Sequence, residues 1–144
     1  MKPHRVEDLD PATPLRPNAA RIVRTRLDEL RSFAPAALEP SAADVQHDMR
    51  IAAKRLRYLL EIVGPCFGPE AKEARDAVKR VQGVLGEIHD CDVMLPRAEG
   101  IGSLRDLLRT RRELLFRRFV ELWQEELDRG TWAALEKALP RRRA

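Results

Sequence analysis

Apolar residues recur along this chain at steps of three and four, and nowhere do they alternate with polar ones over a sustained run. The pattern predicts an all-α protein. Asn18 reads as a cap leading into AARIVRTRLDELRSF, a helix that runs to about Phe33. The linker APAALEPSAAD follows, broken by Pro35 and Pro40. A second helix is expected from about Ala42 to Val63, stopped by the Gly64-Pro65 and Gly68-Pro69 pairs. A third runs from about Glu70 to Leu95 and ends near Pro96, and a fourth from Ser103 to about Asp128, stopping at Gly130. TWAALEKAL adds a short terminal helix. The expected architecture is an antiparallel four-helix bundle with a short extra C-terminal helix, spanning 18–139. An irregular arm with four prolines (1–17) would precede it, and a basic tail (140–144, with Arg141–Arg143) would follow. Gly83 and Gly86 fall inside the third helix, where each costs about 1 kcal/mol relative to Ala. Close approach of a neighbouring helix or a ligand would account for them.

The polar positions are less ordinary than the apolar ones. Projected at about 100° per residue, His47, Arg50, Lys54, Arg57 and Glu61 share one sector of the second helix. Met49, Ala52, Ala53, Leu56, Leu59, Leu60 and Val63 lie opposite. Ile51, Tyr58 and Ile62 form a smaller apolar group on the far flank, so the cations are bordered by apolar surface on both sides. The third helix repeats the design: Lys72, Arg75, Lys79, Gln82, Gly86 and then His89 or Asp90 follow one side, and Ala74, Val78, Val81, Val84, Leu85 and Ile88 the other. On the fourth, Arg105, Arg109 and Arg112 share a strip, with Arg111, Arg117 and Arg118 turned elsewhere. Like charges four apart destabilise a helix, and a polyanion laid in a shared groove would relieve that repulsion. Arg offers forked hydrogen bonds to phosphate oxygens and Lys a compact charge. Alternatively each stripe is a solvated face, neutralised by Asp48, Glu61, Asp76 and Glu87 through surface ion pairs of little worth.

Composition narrows the classes. Charged residues make up 35% of the 144 and aromatics 5%, which suits long helices with ion-rich faces. The formal charge is only +4, so the distribution of charge matters more than its sum. The few aromatics sit where core residues belong, not as base-stacking platforms. Two cysteines, Cys66 and Cys91, make no disulfide framework and fit a reduced, cytoplasmic setting. The N-terminus carries no apolar signal segment, and no apolar run approaches the length of a membrane span.

Two stretches resemble a known family. HDMRIAAKRLRYLLE and VKRVQGVLGEIHDCDVML look like the CHAD (conserved-histidine α-helical) domain. His47, Arg50, Lys54, Arg55, Leu56 and Arg57 match its first motif; Lys79, Arg80, Gln82, Leu85, Gly86 and Asp90 match its second. Together the motifs cover about 45–95, and the flanking helices fit more loosely. The resemblance implies four-helix units whose basic helices line a pore, and binding of inorganic polyphosphate without catalysis, cofactor or metal. Carried over, the anion contacts are His47, Arg50, Lys54, Arg57, Arg75, Lys79 and Gln82, with Arg105, Arg109 and Arg112 less firmly anchored by motif. The family usually has two units per chain, and this chain has length for one. That implies a homodimer rebuilding the pore, or a half-groove. The protein could associate with polyphosphate granules in the cytoplasm.

Two rival functions are open. His47-Asp48 and His89-Asp90 are His-Asp pairs of the kind a metal-dependent phosphohydrolase uses. Beyond them the histidines offer only His4, in the arm, and Cys91 has no zinc-site spacing. The arginine-rich fourth helix and the tail would also suit a nucleic-acid-binding or adaptor protein, although no recognised module is visible. Binding to a membrane surface is disfavoured, because the cations are bordered by core-like residues.

Overall fold

The computed structural model describes residues 1–140, which form helices and connecting turns with no strand among them. The expected tail Arg141–Arg143 lies outside the described residues. Helix α1 spans Leu15–Ser32. Asn18 is not its cap: Pro14 stands at that position, and Pro17 falls in the first turn, where a missing N–H breaks no helical bond. Asn18 instead reaches back to the arm. Its Nδ2 donates to the Asp10 carbonyl at 2.6 Å and its Oδ1 accepts from the Asp10 amide at 3.0 Å.

The linker holds one further helical turn, α2, Ala34–Ala37. Pro35 stands in the first turn of this helix, so a residue that looks like a breaker opens a turn instead. Helix α3 covers Ala43–Val63, and a 3₁₀ turn, Gly64–Phe67, leads to Gly68. With φ of +81°, Gly68 lets the chain reverse directly into α4, Pro69–Met94. A second 3₁₀ turn, Leu95–Ala98, precedes α5, Gly102–Arg129, and Gly130 in the left-handed region separates it from α6, Thr131–Ala138.

Helix α4 is the centre of the packing. It lies against α3 on one side and against α5 and α6 on the other, while α1 covers α3. In this α4-centred order α1 meets α6 and Pro140 through side chains. Arg24 Nη2 donates to the Pro140 carbonyl at 2.9 Å, and Arg31 pairs with Glu136 at 3.5 Å. The core draws Val23, Leu27 and Leu30 from α1, Met49, Leu56 and Leu60 from α3, and Val78, Val81, Leu85 and Ile88 from α4. Phe119, Leu122 and Trp123 of α5 close it, with Trp132 and Leu135 of α6.

Two carboxylates are buried with the core. Glu29 has no exposed surface, and its oxygens accept from Arg26 Nη1 at 3.0 Å, Arg55 Nη1 at 3.2 Å and the His4 amide at 2.7 Å. The arm is therefore tied down at His4, and its first residue accepts a bond from Arg55 Nη2. Glu126 is held by Arg80 at 3.0 Å, by Arg129 and by the Thr131 hydroxyl. A buried charge is tolerated only when paired and hydrogen-bonded, and both meet that condition.

Candidate functional site

Helices α3 and α4 run antiparallel, and their polar stripes meet along one seam. His47 stacks on His89 with ring centroids 4.1 Å apart and planes 20° from parallel. One turn further on α3, Arg50 lies against Gly86: a Cβ added there would stand 3.4 Å from Arg50 Nε. Two turns on, Arg57 Nη1 donates to Gln82 Oε1 at 3.1 Å and its Nε to Glu61 at 3.0 Å.

These residues surround a cleft of ≈ 270 Å³ lined by Arg50, Arg57, Gln82, Gly83, Gly86, Glu87 and Asp90. The two glycines explain the space. A side chain at Gly83 would meet nothing within 4 Å, so its missing Cβ leaves the floor open. The expectation of close approach is met at Gly86 by an arginine side chain, not by a helix backbone, and at Gly83 by no protein atom.

The doubled basic residues of both motifs divide their labour. Lys54 and Lys79 are exposed beside the cleft, the Lys54 ammonium 6.0 Å from the Tyr58 ring centroid. Their neighbours Arg55 and Arg80 turn inward to the buried Glu29 and Glu126. Arg75 is half-buried and bonds Asp76 at 3.1 Å.

The arginines of α5 do not converge on the cleft. Arg112 is engaged within the protein: it bonds both oxygens of Asp92, donates to the Pro40 carbonyl at 2.8 Å and to Gln46 Oε1 at 2.7 Å. Gln46, 1% exposed, passes this link on to the carbonyls of Ala37 and Glu39. Arg105 Nε approaches Asp106 at 3.7 Å, and this buried nitrogen has no hydrogen bond among the described residues. Arg109 is exposed and does not line the cleft. The α5 side chain that does reach the cleft is Arg111, which bonds the lining residue Glu87 at 3.2 Å. A helical projection sorts residues within α5, but it does not say which of its faces turns toward α4.

Electrostatically the cleft is mixed. Glu87 is occupied by Arg111, and Arg57 by Glu61 and Gln82. No hydrogen bond or ion pair to another described residue holds Arg50. At its end, burial lowers the His47 imidazole from its ordinary value of 6.5, and His89 and Arg50 push the same way against Asp48. Near neutral pH His47 is therefore mostly uncharged.

The histidines meet, as a metal site would need, but the remaining ligands do not assemble. Among the described residues no group of three His, Cys, Asp or Glu side chains is placed to hold a metal ion. Cys91 is buried, and burial pushes its thiol up, away from the thiolate a metal needs.

Sequence reasoning missed the two buried carboxylates. Glu126 was legible in part, because it continues the i, i+3, i+4, i+7 series of Phe119, Leu122 and Trp123. Arg111 carried no such signal.

Compared with known families, residues 2–99 are matched by the model of the CHAD domain. That span holds every residue lining the cleft; α5 and α6 lie beyond it. No curated protein and no solved structure matches the chain.

Proposed function

The chain belongs to the CHAD-domain family, and on that premise we propose that it binds inorganic polyphosphate in the cleft between α3 and α4, without chemistry of its own. The observation that carries the reading is Arg50: a guanidinium with no hydrogen-bond or ion-pair partner among the described residues, laid over a glycine in an open cleft. Arg57 stands seven residues further along the same helix, about 10.5 Å away at 1.5 Å per residue. It is pre-oriented by Gln82 and Glu61. Lys54 and Lys79 supply exposed charge with no carboxylate partner among the described residues, and Arg75 extends the row if its bond to Asp76 opens. Arg112 belongs to the scaffold. Arg105 and Arg109 contribute only to an anion that runs past the cleft, or to a second copy of the chain; a homodimer with two clefts in one path is part of this proposal. So is a cytoplasmic setting. No described helix is long and apolar enough to cross a membrane.

The test is a titration with long-chain polyphosphate while the mass of the protein in solution is followed. Saturable binding that Arg50→Gln with Arg57→Gln weakens at least tenfold supports the reading. DNA or RNA displacing polyphosphate at equal phosphate concentration and salt would replace it with nucleic-acid binding.

A further inference from the structure

The His47–His89 stack is left over once the cleft has been assigned to anion binding. It lies at the Arg50 end, and its two rings come from different helices. The groups around it are mixed in sign. On α3 these are Asp48 and Arg50, and on α4 His89 itself with Asp90. The N-terminal ammonium acts from the arm. From α5, Arg112 reaches the adjacent Gln46, and its partner Asp92 stands on α4. His47 Nδ1 is buried with no hydrogen-bond partner, so a proton placed there finds no acceptor among the described residues. A charged ring would stand against a second imidazole at 4.1 Å and against the Arg50 guanidinium. Without ligand, all three facts favour an uncharged His47.

An anion on Arg50 reverses this. Its negative charge cancels the repulsion from the guanidinium and attracts an imidazolium directly. Resting on the polyphosphate reading of the cleft, we propose that anion binding at the Arg50 end is coupled to uptake of a proton by the His47–His89 pair. The pair then makes affinity rise as pH falls. Linkage requires the converse as well: bound polyphosphate raises the proton affinity of the pair. The protein thus holds polyphosphate more tightly in an acidified compartment and releases it on return to neutral pH.

The experiment uses the full chain and long-chain polyphosphate, whose interior phosphates do not titrate near neutrality. Calorimetry at pH 5.5 and 7.5, each in two buffers of different ionisation enthalpy, counts the protons taken up. The wild type is expected to take up close to one proton in the window where affinity rises, with affinity gaining at most about tenfold per pH unit. His47→Phe keeps a ring in the stack and removes the imidazole whose charge the anion favours; it should lose most of the uptake and the gain at pH 5.5. Imidazole NMR of the wild type, with and without polyphosphate, reads the same event without a mutation, as an upward move of the His47 titration. Binding without proton uptake, uptake unchanged in His47→Phe, or no move of the His47 titration in the wild type overturns the coupling and leaves the binding function standing. No binding at either pH removes both.

Discussion

Arg55 Nη1 of α3 donates to Glu29 Oε1 of α1 at 3.2 Å, against a carboxylate with no solvent exposure. The same carboxylate holds Arg26 and the amide of His4, so one charge binds two helices and the arm. Removing it leaves guanidiniums without a counter-ion, and these are only partly able to reach water, at 16% and 28% exposure. Glu29→Ala should cost about 2–3 kcal/mol, and Glu29→Gln somewhat less, because an amide oxygen still accepts. Denaturant unfolding measures both. A loss below about 0.5 kcal/mol would mean that the cluster does not hold the fold.

Arg112 and Arg50 should separate scaffold from site. Arg112→Ala cuts the link from α5 to Asp92, Gln46 and the linker. It should lower stability by about 1–3 kcal/mol and leave polyphosphate affinity nearly as it was. Arg50→Gln, which breaks no bond, should do the reverse. Paired melting curves and titrations decide; equal losses of affinity would return Arg112 to the binding surface.

Gly83 offers a way to close the cleft. Its added Cβ meets nothing within 4 Å, so Gly83→Ala should gain up to about 1 kcal/mol from helix propensity alone. Gly83→Leu should remain folded while its side chain occupies space meant for ligand, and weaken polyphosphate binding several-fold. Full affinity in Gly83→Leu would place the anion elsewhere.

Salt should act through the number of phosphates neutralised. By analogy with other polyanions, each lost contact flattens the plot of log affinity against log salt by about 0.7–0.9. Arg50→Gln with Arg57→Gln should therefore reduce the slope by about 1.5. An unchanged slope would show that these arginines do not meet phosphate.

Without ligand, stability should also depend on pH through His47. Its folded value lies below 6.5, so the unfolded chain takes up the proton first as pH falls. The contribution is complete above about pH 6.5 and is lost on going down through the folded value. Thermal unfolding between pH 7.5 and 5 follows it, and His47→Gln should reduce the drop. A rise in stability on acidification would contradict the assignment.

Much of this was readable beforehand, and the failures have definite causes. Helix ends came within a few residues wherever Gly-Pro pairs or Gly130 stopped them. The start of α1 was misplaced because Asn18 looks like a cap and in fact secures Asp10. The polar stripes of α3 and α4 meet along one seam, since each is bordered by core residues that pack together. The strip of α5 divides instead: Arg112 turns to Asp92 of α4 and to the linker, while Arg109 on the same strip stays exposed.

Period and composition of the chain alone dictate helices, their approximate limits and the side on which each carries its charge, because those follow from local geometry at 3.6 residues per turn. Packing decides the rest. A long cationic side chain can reach a buried carboxylate, a neighbouring loop or an open cleft with equal ease, and adjacent residues such as Lys54 and Arg55 take different destinations. Only the rotation and register of α3, α4 and α5 against one another settle that Arg50 faces the cleft without a partner among the described residues, while Arg55, Arg80 and Arg112 are bound to carboxylates of the fold.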